Sequence, residues 1–172
     1  DLIGTIITPL IIFFLTKGTF LFGYAKPVPI TYKNLRKPKI DMIWVALAGP
    51  AANLFQAILW SIFLLVLESL NENYSVLMLI AISKYGILIN VILFIFNLFP
   101  LPPMDGGRVL LGILPIKIGK IVNKIEPYGF FIILFLLLFG FLNKIWLNPL
   151  TEFTLNILNF IAYPIYLLLN FL

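Results

Sequence analysis

The sequence lacks two residue types that often build chemical sites: among its 172 residues there is no cysteine and no histidine. Without cysteine there is no disulfide framework and no thiolate metal site. Without histidine these residues offer no imidazole to bind a metal. Charged residues are scarce as well, at 11% of the chain, whereas soluble domains carry about 25%.

Apolar residues dominate the composition, at 62% of the chain. No soluble fold of this size could hide so much apolar surface, so the composition predicts a protein embedded in a lipid bilayer. The net charge of +5 comes mostly from lysines between the apolar runs. This pattern is typical of loops that face an anionic leaflet and does not favour a nucleic-acid partner.

Five apolar segments follow one another along the chain: Leu2–Leu15, Met42–Leu67, Val76–Phe99, Tyr128–Trp146 and Phe153–Leu172. The last four are long enough for a crossing of roughly 20 residues. The first is short, and it could be the end of a longer helix, a re-entrant piece or a tilted hairpin arm. We predict an all-α polytopic membrane protein, a single membrane-embedded domain over residues 1–172 with four to five transmembrane or re-entrant helices.

The loops differ in charge, and this difference predicts their orientation. Residues 17–41 and 100–127 carry most of the lysines and arginines, so the positive-inside rule places both loops in the cytoplasm. The first loop is rich in proline and glycine, and Phe20–Phe22 and Val28–Tyr32 could form two short strands around a bend. Such an edge could accept an extended peptide by strand addition. Alternatively, the loop is a proline-stiffened connector.

Asp105 is the main candidate for chemistry. Three prolines between positions 100 and 103 stop a regular helix, and Gly106 and Gly107 allow close approach or positive φ just after the acid. The prediction is an ionisable residue on irregular backbone at the end of a membrane span, which makes it a functional candidate. A carboxylate oxygen can bind zinc at about 2.0–2.2 Å. Alternatively, Asp105 caps a helix at the interface and pairs with Arg108.

Small and amide residues form a second group of candidates. Gly49 and Asn53 share a helix face near the start of the second segment, and Asn53 could steady a peptide carbonyl or an oxyanion. Alternatively, the small residues make a tight helix crossing with Asn53 bonded across it. Asn97 lies beside the proline break and is a further candidate for positioning substrate. Asn90 is interpreted as structural.

In their order along the chain, these motifs resemble the site-2 protease family of intramembrane zinc metalloproteases. The matching stretches are Gly4–Thr5–Ile6–Ile7 with Pro9, Gly23–Tyr24–Ala25–Lys26–Pro27–Val28–Pro29, Asn34–Leu35–Arg36, Ala48–Gly49–Pro50–Ala51–Ala52–Asn53, and Asn97–Leu98–Phe99–Pro100 with Pro102–Pro103–Met104–Asp105–Gly106–Gly107–Arg108. The resemblance covers residues 1–114, whereas residues 128–172 read as generic C-terminal transmembrane helices.

The resemblance implies a role for particular positions. Asp105 matches the family's third zinc ligand, and Asn53 matches the asparagine thought to position substrate or stabilise the transition state. The loop around residues 23–29 looks like the family's membrane-associated strand region near the substrate. The remaining ligands and the catalytic glutamate come from a His-Glu-x-x-His helix, in which two imidazoles one turn apart face one zinc. That motif is absent, so we expect it upstream of Asp1 in a longer protein.

The implied function is hydrolysis of peptide bonds in membrane-spanning protein substrates by a Zn²⁺ enzyme, a multi-pass protein of a bacterial-type plasma membrane. On its own, without His-Glu-x-x-His, this chain is expected to be inactive. One alternative is a catalytically inactive family member that binds membrane proteins. The other is a small transporter or channel, in which Asp105, Asn53 and Asn97 would line the path. The sequence does not identify the substrate or the oligomeric state.

Overall fold

The computed structural model describes residues 2, 6–15, 17, 36–71 and 73–170. In these residues all regular structure is helical, in agreement with the predicted all-α class. The chain divides into two compact units, residues 1–36 and 37–172. The first unit contains helix α1, Thr8–Leu15. The strands predicted at Phe20–Phe22 and Val28–Tyr32 lie outside the described residues.

Two long helices form the centre of the second unit. Helix α2 spans Pro38–Glu68, and its first turn is fixed by Pro38 and by the Asp41 carboxylate, which accepts a hydrogen bond of 2.9 Å from the Lys37 backbone N–H. Helix α3 spans Tyr74–Asn97. The Asn73 side chain caps it by accepting a 2.9 Å bond from the Val76 N–H.

Shorter helices complete the second unit: α4 (Asp105–Ile113), α5 (Ile116–Asn123), α6 (Glu126–Leu138), a π-helical segment (Asn143–Leu147) and α7 (Asn148–Asn170). The sequence analysis treated residues 100–127 as a loop, but they contain two of these helices. Gly140 has a φ of +73°, in the left-handed region that favours glycine, and α6 ends just before it. The predicted segment Tyr128–Trp146 is therefore not one continuous helix.

Two of the described helices, α2 and α3, are long and apolar enough to cross a membrane. A third crossing results if residues 117–138, where α5 and α6 meet at 62°, count as one broken span. The four to five spans expected from apolar runs are thus two or three by this criterion. Most of the apolar surface of α2 and α3 faces outward, as shown by Trp44 at 69% and Phe55 at 61% exposure. Such exposure suits lipid rather than water.

The small core of the unit lies where α2, α3 and α7 meet. It consists of four buried apolar side chains, Ala57, Val91, Ile95 and Leu158. The indole of Trp146, in the π-helical segment, packs beside this core and contacts the ring of Phe99 edge-on at 5.4 Å between centroids. The contact of Trp146 with Phe99 joins the C-terminal end of α3 to the π-helical segment that leads into α7.

Candidate functional site

The candidate site begins at the proline-rich turn between α3 and α4, residues 98–104. The predicted helix stop is confirmed, because α3 ends at Asn97. Backbone bonds close the turn, among them Leu98 N–H to Phe94 O at 3.2 Å and Met104 N–H to Leu101 O at 3.0 Å. Asp105 is the first residue of α4. The prediction that it lies on irregular backbone is therefore wrong: the irregular segment ends one residue earlier.

Three glycines allow the turn to be enclosed by two helices. A Cβ atom on Gly106 would overlap the Leu98 carbonyl oxygen, and one on Gly107 would overlap the Pro102 nitrogen. A Cβ atom on Gly129, in α6, would overlap the Pro102 carbonyl oxygen. Gly106 and Gly107 do not adopt positive φ. Their role is the close approach of backbone to backbone, which was one of the two uses predicted for them.

The Asp105 side chain points towards α2. A Cβ atom built on Gly49 would lie 3.1 Å from Oδ2 of Asp105, so only a glycine leaves this carboxylate its full space. Two further contacts hold α4 against α2: Gly112 packs on the Ile43 side chain, and Nζ of Lys39 donates a hydrogen bond to the Leu114 carbonyl oxygen. The structure therefore brings the motif that contains Gly49 next to the motif that contains Asp105, although the two lie far apart in the sequence.

The Asp105 carboxylate is partly buried and makes no hydrogen bond or ion pair with the other described residues. Burial raises the pKa of Asp105 above its usual value, and the positive charge of Arg108 opposes this effect. Within residues 36–71 and 73–170, no ion pair within 4.0 Å joins Asp105 to Arg108, and no hydrogen bond to the carboxylate occurs. The alternative of a capping Asp105 that pairs with Arg108 is met only in part: Asp105 lies in the first turn of α4 and the Arg108 charge acts on it, but the cap hydrogen bond and the close ion pair are not formed. A half-buried, unpaired carboxylate is suited to binding a cation.

Asn53 lies one helical turn after Gly49, on the same face of α2. Its side chain is half-buried, and in the described part of the chain its amide makes no hydrogen bond, in contrast to the cross-helix bond of the alternative interpretation. Asn97 is the last residue of α3 and is also half-buried. No hydrogen bond among the described residues joins Asn97 to Asp105 or to Asn53. The two positioning roles stay predictions.

Two other polar side chains serve the helices themselves. Nδ2 of Asn90 donates to the Gly86 carbonyl oxygen at 2.8 Å, one turn earlier in the same helix, which agrees with its structural interpretation. Nε1 of Trp146 donates to the Ile95 carbonyl oxygen at 3.0 Å. The Phe99 N–H bonds to Phe96 O, so the Trp146 indole satisfies a carbonyl left over at the end of α3. The sequence analysis named Trp146 only as the end of an apolar segment and missed this bond.

Zinc needs more ligands than the described residues provide. Catalytic zinc sites use three protein ligands plus water. Across residues 36–71 and 73–170 no three His, Cys, Asp or Glu side chains lie close enough together to hold a metal ion. Asp105 alone could offer a carboxylate oxygen, so the described residues by themselves do not fit a zinc ion.

Taken together, the fold and the site define a membrane-associated helical protein with one unpaired carboxylate beside a glycine-proline helix motif. Residues 66–140 match the family model described as Peptidase family M50. The chain is 38% identical over 125 residues to a Bacillus subtilis (strain 168) protein named "Putative zinc metalloprotease YwhC", a match that covers 69% of this chain and 54% of that protein. The chain thus spans about half the length of this curated relative. No solved structure matches the present chain.

Both matches confirm the resemblance to the site-2 proteases, and the matched part of the chain belongs to peptidase family M50. The residues that match the family model include α3, the proline-rich turn and Asp105, whereas Gly49 and Asn53 of α2 lie before the matched range. The two helices that are long and apolar enough to cross a membrane agree with the membrane association of this family.

Proposed function

We propose that the full-length protein is an intramembrane zinc metalloprotease in which Asp105 is one of the zinc ligands. The observation that supports this most directly is the Asp105 carboxylate, partly buried, unpaired and 3.1 Å from the Cβ position of Gly49. A partly buried carboxylate that makes no ion pair and no hydrogen bond among the described residues has its oxygens available to bind a divalent cation. Because the sequence contains no histidine, the proposal requires the other zinc ligands to come from polypeptide beyond these 172 residues.

The proposed substrate is the membrane-spanning segment of another protein. Pro50 interrupts the hydrogen bonding of α2 next to Gly49. An apolar groove of about 330 Å³ lies beside it, and its lining includes Trp44, Leu47, Ala51 and Leu54 of α2, Phe94 of α3 and Leu98 of the turn. In this proposal Asn53, one turn after Gly49, offers its amide to the backbone of an unwound substrate, since this amide makes no hydrogen bond to the other described residues. Asn97 has the same role at the end of α3.

We also propose that the N-terminal end of α2 and residues 100–127 face the cytoplasm. The bond from Lys39 to the Leu114 carbonyl oxygen supports a shared side for these two regions. Both regions are rich in lysine, whereas the opposite end of α2 carries the acidic Glu68, and the sequence that follows it contains Glu72 and no lysine or arginine before α3. This distribution of charge follows the positive-inside rule.

The test is Asp105→Asn in the full-length protein, reconstituted with a single-span membrane substrate. We expect cleavage to fall below detection and bound zinc, measured by mass spectrometry of the metal, to fall with it. The neutral amide keeps the volume but loses the charge that a cation needs. Asp41→Asn is the matched control, because Asp41 serves only the first turn of α2, and this variant should keep both zinc and cleavage.

Full cleavage by Asp105→Asn would overturn the ligand assignment. A second variant, Gly49→Ala, places a methyl group against the carboxylate without removing it. A displacement of this kind should lower the cleavage rate by about tenfold or more. If the full-length protein carries zinc but cleaves no membrane protein that it binds, the inactive family member becomes the better description.

A further inference from the structure

A lysine-lined groove lies between the start of α2, the end of α4 and helix α5. It has a volume of about 480 Å³, within the range of small-ligand pockets. Its lining consists of Lys39, Leu111, Leu114, Gly119, Lys120, Asn123 and Lys124. Neither the proposed peptidase site nor the family match gives this groove a role.

The groove has three positive charges and no negative one in its lining. Lys39 uses one of its three N–H donors on the Leu114 carbonyl oxygen. Within the described ranges the only ion pair joins Lys84 to Glu68, so Lys120 and Lys124 have no acidic partner. Ammonium groups held around one groove without counter-charges provide a site for an anion.

The walls and the location of the groove decide which anion fits. Leu111 and Leu114 give the groove apolar walls beside its charges. Lys39 is the second residue of α2, a helix long and apolar enough to cross a membrane, so the groove lies at the end of a candidate span. The phosphates of a bilayer lie at this level, next to the start of the acyl chains.

We propose that this groove binds the phosphate of an anionic phospholipid, with Lys120 and Lys124 contacting the phosphate and Leu111 and Leu114 contacting the first part of an acyl chain. The lipid would join α5 to the end of α2 through its headgroup. The site does not depend on zinc or on proteolysis, so it stands apart from the proposed peptidase activity.

The experiment compares the full-length protein with its Lys120→Gln/Lys124→Gln variant in nanodiscs that contain phosphatidylcholine with a minor share of spin-labelled phosphatidylglycerol. We expect the variant to bind phosphatidylglycerol about 30-fold more weakly, because each lysine near a membrane surface contributes roughly a fivefold preference for anionic lipid. Lys39 stays unchanged because its hydrogen bond also holds α2 to α4. Circular dichroism verifies that both proteins are equally helical.

Lys117→Gln is the matched control, since Lys117 lies on the same helix but does not line the groove. This variant should keep the preference for phosphatidylglycerol. An equal loss in Lys117→Gln would mean that any positive charge on α5 suffices, and the groove would be refuted as a specific site. Inorganic phosphate forms the second arm: if it displaces the labelled lipid at millimolar concentration, the ligand is a soluble phosphate and the lipid proposal is overturned.

Discussion

Glycines bring chain segments close together in two regions of this molecule, and the regions differ in what the glycine meets. Around the turn 98–104, Gly106, Gly107 and Gly129 meet backbone atoms of the turn itself. In the middle of the α2–α3 pair, Gly86 meets the side chain of Trp60, whose Cδ2 would lie 2.7 Å from an added Cβ. A side chain can rotate away from a new methyl group, but a backbone segment held from both sides cannot.

This difference indicates which of the two regions has a backbone shape that cannot change without loss of packing. The turn that precedes Asp105 is fixed by contacts that no rotamer change can relieve. By contrast, the Trp60 ring borders an open groove of about 310 Å³, also lined by Gln56, Leu59 and Phe63, into which it can shift. The tight glycines therefore cluster at the candidate site, and the adaptable one lies within the span.

The largest expected effect is that of Gly129→Ala. The new methyl group would overlap the Pro102 carbonyl oxygen, so either α6 or the turn must move. We expect the free energy of unfolding, measured by titration with a denaturing detergent, to fall by about 3 kcal/mol or more. A variant as stable as the parent protein would show that α6 does not pack closely against this turn.

A smaller loss is expected for Gly86→Ala, because Trp60 can move. Overpacking costs roughly 1–3 kcal/mol, and the better helix propensity of alanine offsets up to about 1 kcal/mol. We expect a net loss of about 1 kcal/mol in the same titration. In a Trp60→Leu background the same substitution should be neutral or stabilising. An unchanged loss in that background would mean that the clash is not with the ring.

The smallest effect, of opposite sign, is expected for Gly119→Ala. The nearest atom to an added Cβ is Cδ2 of Leu111 at 3.9 Å, which is an ordinary van der Waals contact. Alanine is the better helix former, so the free energy of unfolding should rise by about 0.5 kcal/mol. A clear destabilisation would place α5 closer to α4 than the structure does.

The long helices could be predicted from the sequence because their apolar runs are uninterrupted. The predicted Val76–Phe99 corresponds to α3, and the proline stop after Asn97 was also predictable. Helix α2 begins four residues before the predicted Met42, at Pro38. Its first turn carries Lys39 and Asp41, charges that end an apolar run but not a helix.

The short helices and the close contacts could not be predicted in the same way. Helix α4 opens with Asp105, Gly106 and Gly107, which are poor helix formers, and α5 has only 8 residues with Gly119 in its interior. Their positions depend on tertiary packing rather than on local preference. The same holds for the meeting of Gly49 with Asp105, since no local pattern reports a contact between residues so far apart along the chain.

The Trp146 indole links the last part of the sequence to the candidate site. By donating to the Ile95 carbonyl oxygen, it completes the hydrogen bonding of the helix end from which the proline-rich turn departs. A C-terminal segment without recognisable motifs is thereby a structural support for Asp105, ten residues beyond Ile95. Removal of the C-terminal part of the protein, including Trp146, would leave the Ile95 carbonyl without this donor. It would thereby disturb the turn that positions the Asp105 carboxylate, even though the residues around Asp105 were unchanged.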